Sequence, residues 1–316
     1  MGKFIWAEKR VLVVGGAGFI GSHTVDALID RGASVAIADN FATGNKENCN
    51  RKASLHTLDA ASVPGMAEVF KREEPDFVMI FSAVVDIPFA IKNPVLTAQD
   101  ITATVNVLAH SAEHGVKKVL YGSSGFIYGN ASKLPTPETE PTQPLNPYNI
   151  SKGVCENYIR FFRSHYGLPF VALRYAPLYG PRRKAGPIID YIRKISQGMR
   201  AEIYGSKGRD YTYIDDIVRA NLLALETNIR SVEPIFNVGT GKDFRLDEIY
   251  ALIARFLGRP ENTPIRRPGK LSEVDRSRLD IRKAKRAFGF QPKVTLEEGL
   301  QRTIDWFLGL PTSRKQ

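Results

Sequence analysis

The chain has 316 residues, 43% of them hydrophobic and 24% charged, an ordinary balance for a globular protein with room for a large core and a smaller appended lobe. No apolar run approaches the length of a membrane span, the apolar stretch at residues 4–6 is too short for a signal-peptide core, and Cys49 and Cys155 form neither a disulfide framework nor a metal-ligand spacing. The expectation is a cytoplasmic protein with no metal and no membrane partner. The net charge is +11, from 44 basic and 33 acidic residues. The basic residues are interleaved with acids, apart from Arg182-Arg183-Lys184, Arg266-Arg267 and the run 282–286, which argues against a nucleic-acid surface. A solvated basic face or an attraction for a polyanionic small molecule remains.

Residues 10–39 carry the first functional signal. The apolar run Val11-Leu12-Val13-Val14 reads as a strand and turns through Gly15-Gly16-Ala17-Gly18-Phe19-Ile20-Gly21. A helix to Arg31 follows, stopped by Gly32, and residues 34–38 read as a second strand ending at Asp39. Strand, glycine turn, helix, strand and acid, in that order, make a dinucleotide-binding unit. Glycines allow the tight turn and let backbone N–H groups approach a pyrophosphate at the helix N-terminus. Asp39, eighteen residues after Gly21, is placed for the ribose hydroxyls and would repel a 2′-phosphate, so the sequence points to NAD. Two glycine registers are open, Gly16-x-Gly18-x-x-Gly21 and Gly15-x-x-Gly18-x-x-Gly21.

Further on, Ser62 and Pro64 cap a helix to Glu73, and 77–81 reads as a buried parallel strand. A long helix at 94–114 leads to a strand at 118–121, a loop at 134–147 with five prolines, a helix at 148–166 and a strand at 170–175. This alternation predicts an α/β fold, a Rossmann-type doubly wound parallel sheet. From Ala176 the alternation breaks down, and the chain is expected to build a smaller, irregular α+β substrate-binding lobe. The division expected is a dinucleotide-binding domain at 1–175, with 211–245 returning to it, and a lobe from 176–210 and 246–316. Residues 235–238 read as a late strand, and Thr295 with Glu298 as a capping box before the last helix.

Tyr148 and Lys152, four apart, share one face of a helix. Free tyrosine titrates near pH ~10, and a neighbouring ammonium favours the phenolate, so Lys152 is expected to bring Tyr148 towards a working base. Ser124, expected just beyond the strand at 118–121, could bond a substrate hydroxyl or carbonyl at the carboxyl edge of the sheet. Tyr-x-x-x-Lys pairs often merely decorate helices; the upstream dinucleotide unit and the serine give this one its weight.

Here the chain resembles the extended short-chain dehydrogenase/reductase family, specifically its nucleotide-sugar epimerases and dehydratases of UDP-glucose 4-epimerase type. The resemblance selects the register Gly15-x-x-Gly18-x-x-Gly21, with Phe19, Ile20, Asn40, Ala60, Ser82 and Ala83 around the cofactor and Asp59 at the adenine amino group. It matches Ser124, Tyr148 and Lys152 to the catalytic positions. Residues 173–182 resemble the segment entering the substrate lobe, and 209–216 with 267–269 resemble later signatures whose arginines hold the sugar-nucleotide diphosphate, here Arg209 and Arg267. A competing reading pairs Arg209 with Asp210 or Asp216. The activity implied is C4 epimerisation of a UDP-hexose with a recycled NAD, in a homodimer joined through the helices at 94–114 and 148–166.

Several positions depart from the family pattern. Gly125-Phe126 replaces the Asp-Glu pair of dehydratases, so ordinary dehydration is not expected. Ile80 stands in place of a histidine, Asp100 in place of an asparagine, and Pro177 in place of an asparagine that touches the substrate phosphate. The rival readings are another nucleotide-sugar enzyme of the group (a UDP-glucuronate decarboxylase, an atypical dehydratase or a reductase) and a non-catalytic NAD- or RNA-binding scaffold.

Overall fold

The computed structural model describes residues 4–205, 208–229, 233–269, 274 and 276–310. Its centre is a sheet of seven parallel strands: β1 (Arg10–Val14), β2 (Ser34–Asp39), β3 (Ser54–Thr57), β4 (Phe77–Ile80), β5 (Lys118–Ser124), β6 (Phe170–Tyr175) and the late strand Ile235–Val238. In space the order is β3-β2-β1-β4-β5-β6 followed by Ile235–Val238. The chain therefore works outward in one direction from β1 and, after β3, outward in the other from β4. Between β1 and β4 lies the switch point, where open α/β sheets form a crevice beyond the strand ends.

The apolar runs explain why the strands are central. In β1 every residue after Arg10 is buried, and successive side chains go to opposite faces. Val11 and Val13 join the core beneath helices α1 (Phe19–Ile29) and α7 (Ile214–Glu226). Leu12 and Val14 join the core beneath α2 (Val63–Glu73), α4 (Pro94–Glu113) and α5 (Pro147–Tyr166). Truncating such a fully buried leucine costs about 2–5 kcal/mol. Local signals set the helix ends: Ser62 Oγ accepts from Gly65 N at 3.3 Å, Asn146 caps α5, and Gly167 (φ +69°) ends it.

Three elements differ from the sequence reading. β5 runs on through Gly122-Ser123-Ser124, so Ser124 is the last residue of the strand rather than a loop residue beyond it. Pairing of Ser124 with Tyr175 on β6 holds this polar stretch extended. A short helix α3 (Ile87–Lys92), capped by Asp86 accepting from Phe89 N at 2.8 Å, precedes α4. β3, mostly exposed and polar, forms an edge of the sheet.

After β6 the chain carries α6 (Pro187–Ser196), α8 (Leu246–Phe256), α9 (Arg282–Phe288) and α10 (Leu296–Phe307) with short strand pairs between them. Leu178–Tyr179 runs parallel to Thr212–Tyr213, Glu202–Tyr204 parallel to Ile265–Arg267, and Gly208–Arg209 antiparallel to Phe244–Arg245. Tyr191 and Tyr250 pack α6 on α8 with ring centroids 5.3 Å apart.

Candidate active site

The glycine turn sits at the switch point. Gly15 has φ +79°, and a Cβ there would lie 2.6 Å from the backbone nitrogen of Ser82, so the loops after β1 and β4 are in contact. A Cβ on Gly21 would overlap the backbone of Gly15 and Gly16, while Gly18 is the N-cap of α1. The turn is thus a cradle that side chains would fill, with the first N–H groups of α1, those of Phe19 and Ile20 among them, at its mouth. Asp39 is buried at the end of β2, its two oxygens accepting from Ala17 N at 2.9 Å and Phe41 N at 2.8 Å. Each oxygen keeps a further lone pair for a hydroxyl. Asn40 and Asp59 lie side by side, Nδ2 to Oδ2 at 3.5 Å, and Asn106 Nδ2 of α4 fixes the Ala60 carbonyl at 2.8 Å. Ser82 carries a buried hydroxyl oxygen without a partner among the described residues, a polar group of the kind a bound ligand satisfies. Next to Ala83, Val84 N donates to Asp100 Oδ2 at 2.9 Å. These groups fit a dinucleotide.

Ser124, Tyr148 and Lys152 come together across the ends of β5 and α5. Ser124 Oγ accepts from Phe126 N at 3.1 Å, opening a 3-10 turn, and its hydroxyl favours ionisation of the Tyr148 phenol. Lys152 is buried, with Nζ donating to Gly122 O at 2.7 Å and lying 5.8 Å from the centroid of the Tyr148 ring. The expected electrostatics are reversed in the free chain. Burial pushes Tyr148 up to about 12, against the Ser124 hydroxyl and the Arg183 guanidinium, which favour the phenolate. Lys152 is pushed down by the same burial, partly opposed by Cys155, Asp100 and Glu156. Burial sets the direction for both groups, and the Lys152 ammonium is turned onto the Gly122 carbonyl.

Arg209 is brought to this region, its guanidinium over the Phe126 ring at 5.7 Å and Nη2 donating to Val274 O at 3.2 Å. Its proposed acidic partners are committed elsewhere. Asp210, fully buried, accepts from Thr240 N (2.7 Å), Thr240 Oγ1 (2.6 Å), Gly241 N (3.0 Å) and Leu279 N (3.3 Å). Asp216 binds Arg219 at 2.6 Å and the N–H groups of Lys293 and Val294. Arg267 is half exposed and paired with Glu202 at 2.9 Å, and among the described residues no contact ties it to Ser124 or Tyr148. Pro177, which has no N–H, offers its carbonyl to Thr212 N at 2.8 Å. One residue escaped the sequence reading except as part of a charge cluster: Arg183, whose charge acts on Tyr148. Its basic triplet was the only available signal.

A Rossmann-type sheet with a glycine cradle at its switch point and a Ser-Tyr-Lys group across the next strand ends defines a dinucleotide-dependent enzyme class. Residues 11–239 match the NAD-dependent epimerase/dehydratase family, and the chain belongs to that family. NAD is the cofactor of the family. The chain is 31% identical over 318 residues to the UDP-glucose 4-epimerase of Mycolicibacterium smegmatis, across 94% of this chain and 98% of the relative. Among solved structures it is similar to the UDP-glucose 4-epimerase of Thermotoga maritima with UDP-glucose, at 37% identity and TM-score 0.91, covering 95% and 98% of the two chains. It is also similar to the UDP-N-acetylglucosamine 4-epimerase of Methanobrevibacter ruminantium in complex with UDP-N-acetylmuramic acid, at 30% identity and TM-score 0.89, covering 95% and 98%. Among the described residues no helix is long and apolar enough to cross a membrane.

Proposed function

We propose that the chain epimerises a nucleotide sugar at C4, with a UDP-hexose as substrate, and that NAD is recycled within the site. The observation that carries this reading is the convergence of Ser124, Tyr148 and Lys152 beside the glycine cradle. Gly15, Gly18 and Gly21 with the N–H groups of Phe19 and Ile20 hold the pyrophosphate of NAD. Asp39 and Asn40 take the adenosine ribose, Asp59 and Ala60 the adenine, and Ser82, Ala83 and Lys152 the nicotinamide half. When bound, NAD supplies a reversible hydride acceptor. Tyr148 removes the proton of the sugar 4-hydroxyl as the carbon is oxidised and returns it after the 4-keto sugar has turned over. Ser124 orients O4 and bonds the phenol. Lys152 holds the ribose, and its charge adds to that of the cofactor in lowering the Tyr148 barrier to ionisation. Arg209 and Arg267 hold the substrate diphosphate, with Pro177 lining its path. Gly125 and Phe126 offer no carboxyl for abstraction at C5, which supports epimerisation over dehydration.

The protein is further proposed to act as a homodimer through the outer faces of α4 and α5, where Val95 and Leu96 of α4 and Ile150, Tyr158 and Phe161 of α5 are exposed. The test of function is incubation of the purified enzyme with UDP-glucose and, separately, UDP-galactose. Interconversion without net NADH formation is expected, together with a loss of at least about 10²-fold in kcat for Tyr148→Phe. Near-normal turnover by Tyr148→Phe would overturn the assignment.

A further inference from the structure

The end of α4 carries a donor set that the chemistry at the sheet's carboxyl edge does not use. His110, Glu113 and His114 stand at i, i+3 and i+4, the spacing that brings side chains to one face of a helix. One ring nitrogen of each histidine and a carboxylate oxygen of Glu113 all lie within 4.8 Å of one another. The expectation of a metal-free protein rested on cysteine spacing, and this cluster contains no cysteine. Both imidazoles lean on Phe70 of α2, with ring centroids 5.5 Å away for His110 and 5.4 Å for His114, so the cluster lies on the flank of α4 turned to α2.

His110 is only 8% exposed, yet among the described residues neither of its ring nitrogens makes a hydrogen bond. Its Nδ1 lies 3.5 Å from Glu113 Oε2 without bonding to it. A neutral imidazole carries one donor and one acceptor, and such groups left unpaired in an interior are destabilising unless a ligand completes them. His114 Nδ1 donates to the His110 carbonyl at 3.0 Å, which leaves the lone pair on Nε2. A carbonyl on one ring nitrogen is the support that metal-ligating histidines commonly have. Glu113 and His114 are exposed, so an ion can enter from solvent and keep a water. Two imidazoles and one carboxylate suit a transition ion such as Zn2+ better than Mg2+ or Ca2+, which prefer oxygen donors throughout. The negative end of the helix dipole favours a cation at the same place. The cluster is remote from the reacting groups: the chain passes from His114 through Gly115 into β5 at the amino edge of the sheet, whereas Ser124 ends β5 at the carboxyl edge. We propose that His110, Glu113 and His114 form a binding site for a divalent transition-metal ion of the zinc class, which braces the last turn of α4.

The experiment titrates Co2+, and then Zn2+, into the untagged full chain after a chelator has been applied and removed. Wild type is compared with Glu113→Gln and His114→Gln, both at exposed positions where the fold is retained without the side chain. Wild type is expected to take up one Co2+ per chain, with visible absorption bands that Zn2+ abolishes, and each variant to bind at least about 10-fold more weakly. Zn2+ should raise the thermal midpoint of wild type and leave that of His114→Gln unchanged. His110 is tested without substitution by NMR of the five histidine rings: one equivalent of Zn2+ should move the signals of His110 and His114 and leave the other three in place. No uptake by wild type at millimolar Co2+, wild-type affinity in either variant, or ring shifts at His23, His56 or His165 in place of His110 and His114 would each overturn the proposal.

Discussion

The buried ion pair between β6 and α5 gives the sharpest prediction. Arg174 and Glu156 are almost wholly buried and meet through two bonds, Nη2 to Oε2 at 2.6 Å and Nε to Oε1 at 2.9 Å. The remaining capacity is filled by Ser123 Oγ donating to Glu156 at 2.6 Å and Arg174 Nη1 donating to the Tyr128 hydroxyl at 2.7 Å. Tyr128 in turn donates to Asn237 on the last strand at 2.8 Å. Arg174→Met would leave the Glu156 carboxylate in the core with one hydroxyl donor and with Arg160 at 3.9 Å. Removing one partner of such a pair costs about 3–5 kcal/mol, and Glu156→Met, which leaves the guanidinium unpaired, should cost a similar amount. Replacing both by methionine removes both desolvated charges, so the double variant should be more stable than either single one and within about 2 kcal/mol of wild type. Urea unfolding followed by circular dichroism measures the cycle. Additive losses, or a single-variant loss below about 1 kcal/mol, would refute the claim that the pair is held as an uncompensable buried unit.

Three further outcomes follow from the geometry. Burial pushes His23 down to about 4, helped by Arg182, while the unfolded residue titrates near 6.5. The unfolded chain thus binds more protons between those values, and His23 makes its full contribution above pH ~6.5 and loses it as pH falls towards about 4. His23→Gln should flatten the drop in urea midpoint between pH 7.5 and 5; an unchanged drop would place the effect elsewhere. Ser124→Ala removes the hydroxyl that favours the Tyr148 phenolate and should lower kcat by about 10²-fold with little change in KM, read from initial rates. Phe161→Glu puts a charge on the exposed outer face of α5 and should convert a dimer to monomers in size-exclusion chromatography with light scattering; a wild type that is monomeric at micromolar concentration removes the basis for that face as an interface.

The divide between what was and was not legible in the sequence follows the range of the interactions. The glycine turn could be read because strand, turn, helix and acid are contiguous, and the positive φ of Gly15 with its contact to Ser82 supplies the steric reason. Tyr148 and Lys152 were legible because a helix fixes their spacing. The end of β5 was misread because Gly122-Ser123-Ser124 looks like a turn in composition. Its extension depends on β6 and on Glu156, far away in sequence. The direction of the Tyr148 shift follows the same divide: the spacing to Lys152 is local, whereas burial is imposed by everything that closes over the site. Arg183 lies at the limit of that logic. Three adjacent basic residues look alike in sequence, yet Arg182 goes to Asp26, Lys184 to the carbonyls after β2, and Arg183 to the ring of Phe19. The dinucleotide cradle and the Tyr148–Lys152 pair are thus written in short-range pattern, whereas the directions taken by Arg182, Arg183 and Lys184 are decided only in the folded chain.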